Sequence, residues 1–168
     1  SYYNRCLTYS HIVHYDKSVQ AYTEAIRFDP QPNTYLGRGI SYNVLGESDL
    51  AVQDFDEAIR LDPQYTKAYY NRGVSYNVLG LSELAIQDFD EAIRLDPQYT
   101  KAYYSRAVTY RHLEHYDKAI QDYSETIRID PQNAMAYHSR GILYDELGQK
   151  TNAIADKKRA CELDIRFC

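Results

Sequence analysis

Long apolar runs are missing from this sequence, which also has no tryptophan and a single methionine. A helix that crosses a bilayer needs about 18 to 20 consecutive apolar residues, and no stretch approaches that length. The opening residues, SYYNRCLTYSHIVHYDKS, also lack the basic-then-apolar order of a secretory signal. We therefore expect a soluble chain that does not insert into a membrane.

Cysteine is also scarce. Cys6, Cys161 and Cys168 are odd in number and form no CxxC pair. Such a set suggests neither a disulfide framework nor a zinc knuckle. A reducing compartment, the cytoplasm, is the expected location.

Positive charge is in deficit. The chain has 19 Lys and Arg residues against 24 Asp and Glu residues, which gives a net charge of -5. The basic residues are scattered among carboxylates and form no run, so the sequence carries no electrostatic signal for nucleic acid. Nucleic acid is therefore not an expected partner.

Repetition is what the sequence has in abundance. The phrase QDFDEAIRLDPQYTKAYY occupies residues 53–70 and recurs unchanged at 87–104, 34 positions later. A fixed period of this length is typical of proteins built from stacked identical units. Five units are predicted in a single array: about 1–31, 32–65, 66–99, 100–133 and 134–168. The first unit lacks the start of its first helix, so the chain is expected to be a fragment of a longer protein.

Within a unit the apolar spacing is helical. Tyr69, Gly73 and Tyr76 stand at i, i+4 and i+7, and a second periodic stretch begins at Ala85. Two helices per unit are predicted, and the Asp-Pro pairs end the second one because proline cannot continue a helix. Turns between the two helices are predicted near Gly46, Gly80, Glu114 and Gly148.

The pattern Tyr69, Gly73, Tyr76, Ala85, Phe89, Ala92 and Pro97 in a 34-residue unit resembles the tetratricopeptide repeat. The resemblance covers essentially the whole chain. It implies an all-α, right-handed superhelix of antiparallel helix pairs, in which the first helices line a concave groove. It also implies a non-catalytic scaffold that binds proteins. The first unit departs from the pattern, with Cys6 at the glycine position and Ser18 at the first alanine position.

A recurring arginine has two interpretations. One arginine per unit could form a basic ladder for phosphate or carboxylate ligands, but each has an aspartate 16 residues later. An antiparallel hairpin places these positions opposite each other, so ion pairs inside each repeat are favoured. The predicted pairs are Arg38–Asp54, Arg72–Asp88, Arg106–Asp122 and Arg140–Asp156, whereas Arg5 has Ala21 and no partner.

Enzyme signatures are weak. His11 and His14 in one unit match His112 and His115 in another, and histidines at i and i+3 could hold a metal ion. Neither pair has a clear third ligand, so solvated turn residues are the favoured interpretation. No cofactor, metal site or catalytic residue is expected.

The candidate ligand-binding residues face the groove that the resemblance implies. Tyrosine and aliphatic side chains form its floor, and amide and basic side chains lie among them, which suits a peptide. The predicted set is Ile40, Asn43, Lys67, Tyr70, Val74, Asn77, Lys101, Tyr104, Val108, Arg111 and His138.

Three functions stay open at this point. The favoured one is an adaptor that binds a peptide or protein segment. The positions of the carboxylate clamp found in chaperone-binding members hold too few of the expected basic and amide residues, so that subclass is not expected. The alternatives are a structural module that associates with copies of itself, and a targeting domain whose parent carries its activity elsewhere.

Overall fold

A computed structural model of the chain describes residues 15–168. These residues form α-helices, one short 3-10 turn and their connections, with no strand among them. The predicted all-α class is confirmed. The interpretations of Arg5, Cys6, His11 and His14 lie outside the described residues.

The chain divides between Asp96 and Pro97 into two compact parts, which we call the first unit and the second unit from here on. The 34-residue units of the sequence are called repeats. The first contains α1 (Tyr15–Phe28), α2 (Pro32–Val44), α3 (Ser48–Leu61), α4 (Thr66–Val78) and α5 (Ser82–Leu95). The second contains α6 (Thr100–His112), α7 (Tyr116–Ile129), α8 (Ala134–Glu146), α9 (Lys150–Leu163) and the 3-10 turn Ile165–Phe167.

Helices pack in consecutive pairs. In the first unit α2 packs on α3 and α4 on α5, while α1–α2 and α3–α4 contacts join the pairs. In the second unit α6 packs on α7 and α8 on α9, and α7–α8 contacts join them. Two helices per repeat, as predicted from the apolar spacing, are confirmed over this part of the chain.

Small and aromatic side chains build the core of each unit. In the first unit Phe55 is fully buried between Leu36 and the alanines of its own helix. A Cβ atom added at Gly73 would lie 2.8 Å from Cε1 of Phe89, which is closer than any real contact. The glycine therefore allows α4 and α5 to approach closely.

The turns inside the helix pairs lie where they were predicted. Gly46, Gly80 and Gly148 have φ angles of 81°, 75° and 72°, and Glu114 has 59° at the equivalent place. This left-handed conformation ends a helix cheaply only when the residue is glycine. No helix among residues 15–168 is long and apolar enough to cross a bilayer.

Among residues 15–168 one disulfide is present, which the cysteine pattern had not suggested. Cys161 and Cys168 are bonded, with their Cα atoms 4.7 Å apart. Cys161 lies in the last turn of α9, and the 3-10 turn folds back beside that helix. Cysteine number and CxxC spacing could not reveal this pair. It forms because the chain turns back after α9 and brings Cys168 beside Cys161.

Candidate functional site

The recurring arginines form two hydrogen bonds each with the predicted aspartates. Arg72 donates from Nε and Nη2 to the two carboxylate oxygens of Asp88, at 2.8 and 2.7 Å. The same bidentate geometry joins Arg38 to Asp54, Arg106 to Asp122 and Arg140 to Asp156. The prediction of ion pairs inside each repeat is confirmed for all four described pairs.

Tyrosine rings enclose each of these guanidinium groups. The Arg72 guanidinium carbon lies 5.5 Å from the centre of the Tyr69 ring and 5.8 Å from that of Tyr76. The other three arginines lie between tyrosines at the same offsets: Tyr35 and Tyr42, Tyr103 and Tyr110, Tyr137 and Tyr144. Cation–π contact thus explains eight of the 19 tyrosines. Their spacing of i-3 and i+4 around the arginine was the signal that the sequence interpretation missed.

A third contact joins an arginine to the repeat before it. Arg72 Nη1 donates to Oδ1 of Asp56 at 2.5 Å, and Arg140 Nη1 donates to Oγ of Ser124 at 2.7 Å. In the first unit Arg38 Nη1 donates to Oγ1 of Thr23 at 3.1 Å. These arginines therefore tie adjacent repeats together, which argues against the alternative of a basic ladder for ligands.

Burial and hydrogen bonding compete in these pairs. Burial lowers the pKa of Arg72, but hydrogen bonds to Asp88 and Asp56 outweigh it and leave the pKa raised. Burial raises the pKa of Asp88, although the hydrogen bond from Arg72 lowers it. In the Arg72–Asp88 pair, desolvation thus opposes the charged form of both groups and the hydrogen bonds favour it.

In the first unit two neighbouring helices expose four aliphatic side chains, which we call the aliphatic face: Ile40 and Val44 on α2, and Val74 and Val78 on α4. Val78 is 70% exposed, Val44 54% and Ile40 37%, whereas Val74 is half-buried. Asn43 Nδ2 donates to Oγ of Ser75 at 2.8 Å, which fixes α2 beside α4. Asn43, which was predicted to contact a ligand, thus links α2 to α4.

The other predicted residues of the first unit lie on α4. Lys67 is exposed in the first turn of the helix, and Asn77 is half-buried near its end. Tyr70 is half-buried, and its ring centre lies 6.0 Å from that of Phe89 on α5. Tyr70 therefore contributes to packing as well as to the surface.

In the second unit the predicted residues are largely engaged within the unit. The Tyr104 hydroxyl and the Ser139 hydroxyl share a hydrogen bond of 2.9 Å, and the Tyr104 ring centre lies 5.6 Å from that of Tyr123. Arg111 forms an ion pair with Glu146, whose hydrogen bond raises the pKa of Arg111.

The remaining predicted residues of this unit differ in exposure. Val108 packs on the buried cluster that contains Ala107 and Leu143, whereas Lys101 is exposed. The His138 ring lies against Phe167, with the ring centres 4.6 Å apart.

The phenol of Tyr123 in the second unit is buried and its pKa is strongly raised. The residue is 1% exposed, and burial raises its pKa to about 12. It stands where Phe55 and Phe89 stand in the first unit, so its ring fills the same core position.

Within residues 15–168 no three His, Cys, Asp or Glu side chains come together in a way that could hold a metal ion. His112 ends α6, and both His112 and His115 are exposed. The His115 ring centre lies 6.1 Å from that of Tyr110.

The family models that match the chain all describe the same kind of repeat. Models described as tetratricopeptide repeat match residues 66–99, 100–133 and 123–155, and one described as TPR repeat matches 41–80. Together they run from residue 41 to residue 155, which is more than half of the chain. None of the curated proteins compared with the chain matches it significantly.

Solved structures of similar fold cover nearly the whole chain. A crystal structure of MamA is 29% identical, with a TM-score of 0.86, over 95% of this chain and 94% of that one. MamA 41-end from Desulfovibrio magneticus RS-1 is 20% identical, with a TM-score of 0.87, over 98% and 94%. YrrB, described as a TPR protein with an unusual peptide-binding site, is 21% identical, with a TM-score of 0.76, over 97% and 84%. The predicted fold class, a solenoid of antiparallel helix pairs, is confirmed by these matches.

Proposed function

Because the chain belongs to the tetratricopeptide repeat family, a family of protein-interaction scaffolds, we propose that it binds a peptide segment of a partner protein on the aliphatic face. The observation that carries the proposal is the exposure of Val44 and Val78 one repeat apart on adjacent helices. Apolar side chains that are exposed side by side on a rigid surface are typical of binding sites. The proposed role is binding and not catalysis.

Recognition would use apolar anchors. Ligand side chains would lie against Ile40, Val44, Val74 and Val78, which α2 and α4 hold in fixed positions. The exposed ammonium group of Lys67 and the amide of Asn77 lie on the same helix as Val74 and would set the direction of the ligand. YrrB offers an analogy, since it has this fold and is described as having a peptide-binding site.

The second unit would contribute less to recognition. Tyr104 and Arg111 already have partners on α8, and Val108 packs on the core of the unit. Ligand roles for Lys101, Tyr104, Val108, Arg111 and His138 remain predictions. The aliphatic face itself contains no basic cluster, so we infer that the ligand's apolar side chains, and not a terminal carboxylate, provide the affinity.

Selection from a random peptide library would test the proposal. The affinity of a selected peptide would be measured for the wild type and for a double variant, Val44→Glu with Val78→Glu. Two carboxylates on the apolar contact should weaken binding about a hundredfold, because each charge would have to be desolvated. A peptide with an amidated end should bind as well as one with a free carboxylate.

The matched control is Leu50→Glu with Leu84→Glu. Both leucines are 40% exposed, and they lie on α3 and α5. Equal helicity of all three proteins would be checked by circular dichroism. Equal losses in the two double variants, or unchanged binding by the first, would contradict the proposal.

Self-association is the other use that exposed aliphatic residues allow. Sedimentation of the wild type over a range of concentrations would reveal it. If the Val44→Glu, Val78→Glu variant loses self-association and no peptide can be selected, the aliphatic face serves self-association and not peptide binding.

A further inference from the structure

The 3-10 turn after α9 brings an aromatic side chain to the surface of α8. Phe167 lies against His138 with the ring planes inclined by 30° and the centres 4.6 Å apart. His138 occupies the helix position that Tyr70 occupies in α4 and Tyr104 in α6. The contact is therefore made at a position that the resemblance to the tetratricopeptide repeat predicted to bind a ligand.

The first unit has an aromatic residue at the place equivalent to Phe167. There Asp62 Oδ1 accepts a hydrogen bond from the backbone N–H of Gln64, and Tyr65 packs on the core cluster that contains Leu36. After α9, Asp164 Oδ1 accepts from the backbone N–H of Arg166 in the same way. Phe167 thus stands 102 residues, or three periods, after Tyr65, and each is an aromatic residue that follows the second helix of a pair and packs back on that part of the fold.

Apart from the disulfide and the contact of Phe167 with His138, the side chains of the segment add little to its retention. Ile165 is 81% exposed and provides no apolar anchor. The Arg166 side chain is 80% exposed in its ion pair with Asp164, and such pairs contribute little. The hydrogen bonds of a 3-10 turn also have poorer geometry than those of an α-helix.

The closed arrangement also leaves a polar atom unsatisfied. His138 Nδ1 is buried and has no hydrogen-bond partner. A buried nitrogen in this condition weakens the arrangement that contains it. A ligand with its own backbone N–H or carbonyl group could satisfy that nitrogen, which a fixed Phe167 does not.

We propose that the His138 surface is a binding site for an aromatic side chain of a partner, filled by Phe167 while the Cys161–Cys168 disulfide is closed. Closure holds the Phe167 ring at a high effective concentration, which excludes external rings. Reduction by a dithiol gives two cysteine thiols and one oxidised dithiol, with two electrons and two protons transferred. Cys168 is exposed, so a thiolate can reach the bond. The site is independent of the aliphatic face.

Nuclear magnetic resonance of the His138 ring would test the site. The probes are N-acetylphenylalaninamide and N-acetylleucinamide, added to the wild type before and after treatment with dithiothreitol. In the reduced protein the phenylalanine probe should shift the His138 resonances saturably and bind about tenfold more tightly than the leucine probe. The oxidised protein should show no saturable shift.

Two variants separate the disulfide from other effects. Cys161→Ser with Cys168→Ser should bind the phenylalanine probe without reductant, while Cys6 remains as a control for other thiol chemistry. Phe167→Ala with the disulfide intact should also bind it. Equal shifts in the oxidised and reduced wild type, no saturable shift in any open form, or equal affinity for the two probes would overturn the proposal. These readouts do not involve Val44 or Val78, so either proposal can fail alone.

Discussion

Arg72 has three kinds of partner at once. Its guanidinium group bonds Asp88 of its own repeat and Asp56 of the preceding one, and it lies between two tyrosine rings. The pairing with Asp88 could be predicted because a spacing of 16 residues brackets a hairpin turn. The bond to Asp56 could not, because it depends on how one helix pair packs on the next.

The value of that additional carboxylate can be measured. Asp54→Ala leaves Arg38 with the neutral Thr23 hydroxyl as its hydrogen-bond acceptor, whereas Asp88→Ala leaves Arg72 with the carboxylate of Asp56. Removing one member of a buried pair costs about 3 kcal/mol, and we expect Asp88→Ala to cost about 1 kcal/mol less than Asp54→Ala. Urea unfolding of both variants gives the comparison. Equal costs would show that Asp56 adds nothing.

The raised pKa of Tyr123 predicts that the free energy of unfolding decreases in alkali. Its pKa is about 12 in the folded protein and about 10 in the unfolded chain. Between these values the unfolded chain loses the phenol proton while the folded protein retains it, so the free energy of unfolding falls as the pH rises. The full loss is about 3 kcal/mol above pH 12 and is absent below about pH 10.

Tyr123→Phe isolates this contribution. Phenylalanine occupies the same core position in the first unit, at Phe55 and Phe89, so the ring should be tolerated. Denaturant unfolding from pH 9 to 11.5 should show a shallower decline in the variant, with the titration of other tyrosines common to both proteins. Parallel declines would mean that the Tyr123 phenol is ionised as easily in the folded protein as in the unfolded chain.

At the scale of the element, the turn between α6 and α7 differs from the others. Glu114 adopts a φ of 59° where Gly46, Gly80 and Gly148 stand in the other turns. A residue with a Cβ atom is strained in this conformation. The position of the turn could be predicted from the repeat, but the strain at Glu114 follows only from the backbone angle.

Glu114→Gly should therefore stabilise the protein by about 0.5 to 1 kcal/mol. Its counterpart is Gly80→Ala, where nothing lies within 4 Å of the new Cβ atom and only the positive φ opposes it. That variant should lose about 1 kcal/mol. Thermal unfolding of both would decide, and a destabilised Glu114→Gly would show that the glutamate side chain contributes more than its strain costs.

The predicted groove residues were only partly distinguishable by sequence. Their common register could be predicted from the period, but their surroundings could not. Val44 and Val78 become His112 and Glu146 in the second unit, and the ion pair of Arg111 with Glu146 replaces apolar exposure with charge. Side-chain partners on the neighbouring repeat therefore decide which members of a repeated position remain exposed.

For the whole molecule, a net charge of -5 and the apolar character of the proposed binding face predict how affinity responds to salt. Apolar anchors are not screened, so raising sodium chloride should change the dissociation constant of a selected peptide by less than about threefold. Ammonium sulfate should strengthen binding, because it favours burial of apolar surface. A steep loss of affinity with sodium chloride would indicate recognition by charge.

The contact between an arginine and the preceding repeat has a consequence for how such a chain evolves. The duplicated phrase carries two hydrogen-bond acceptors. Asp54 accepts from Arg38 of its own repeat, and Asp56 accepts from Arg72 of the following repeat. A duplicated gene segment that encodes a whole repeat therefore already contains both acceptors, one for the contact inside the repeat and one for the contact with the next repeat. Unequal recombination within this segment can therefore change the number of repeats without compensating substitutions at these two positions, whereas Thr23 and Ser124 show that other repeats have since replaced the second acceptor.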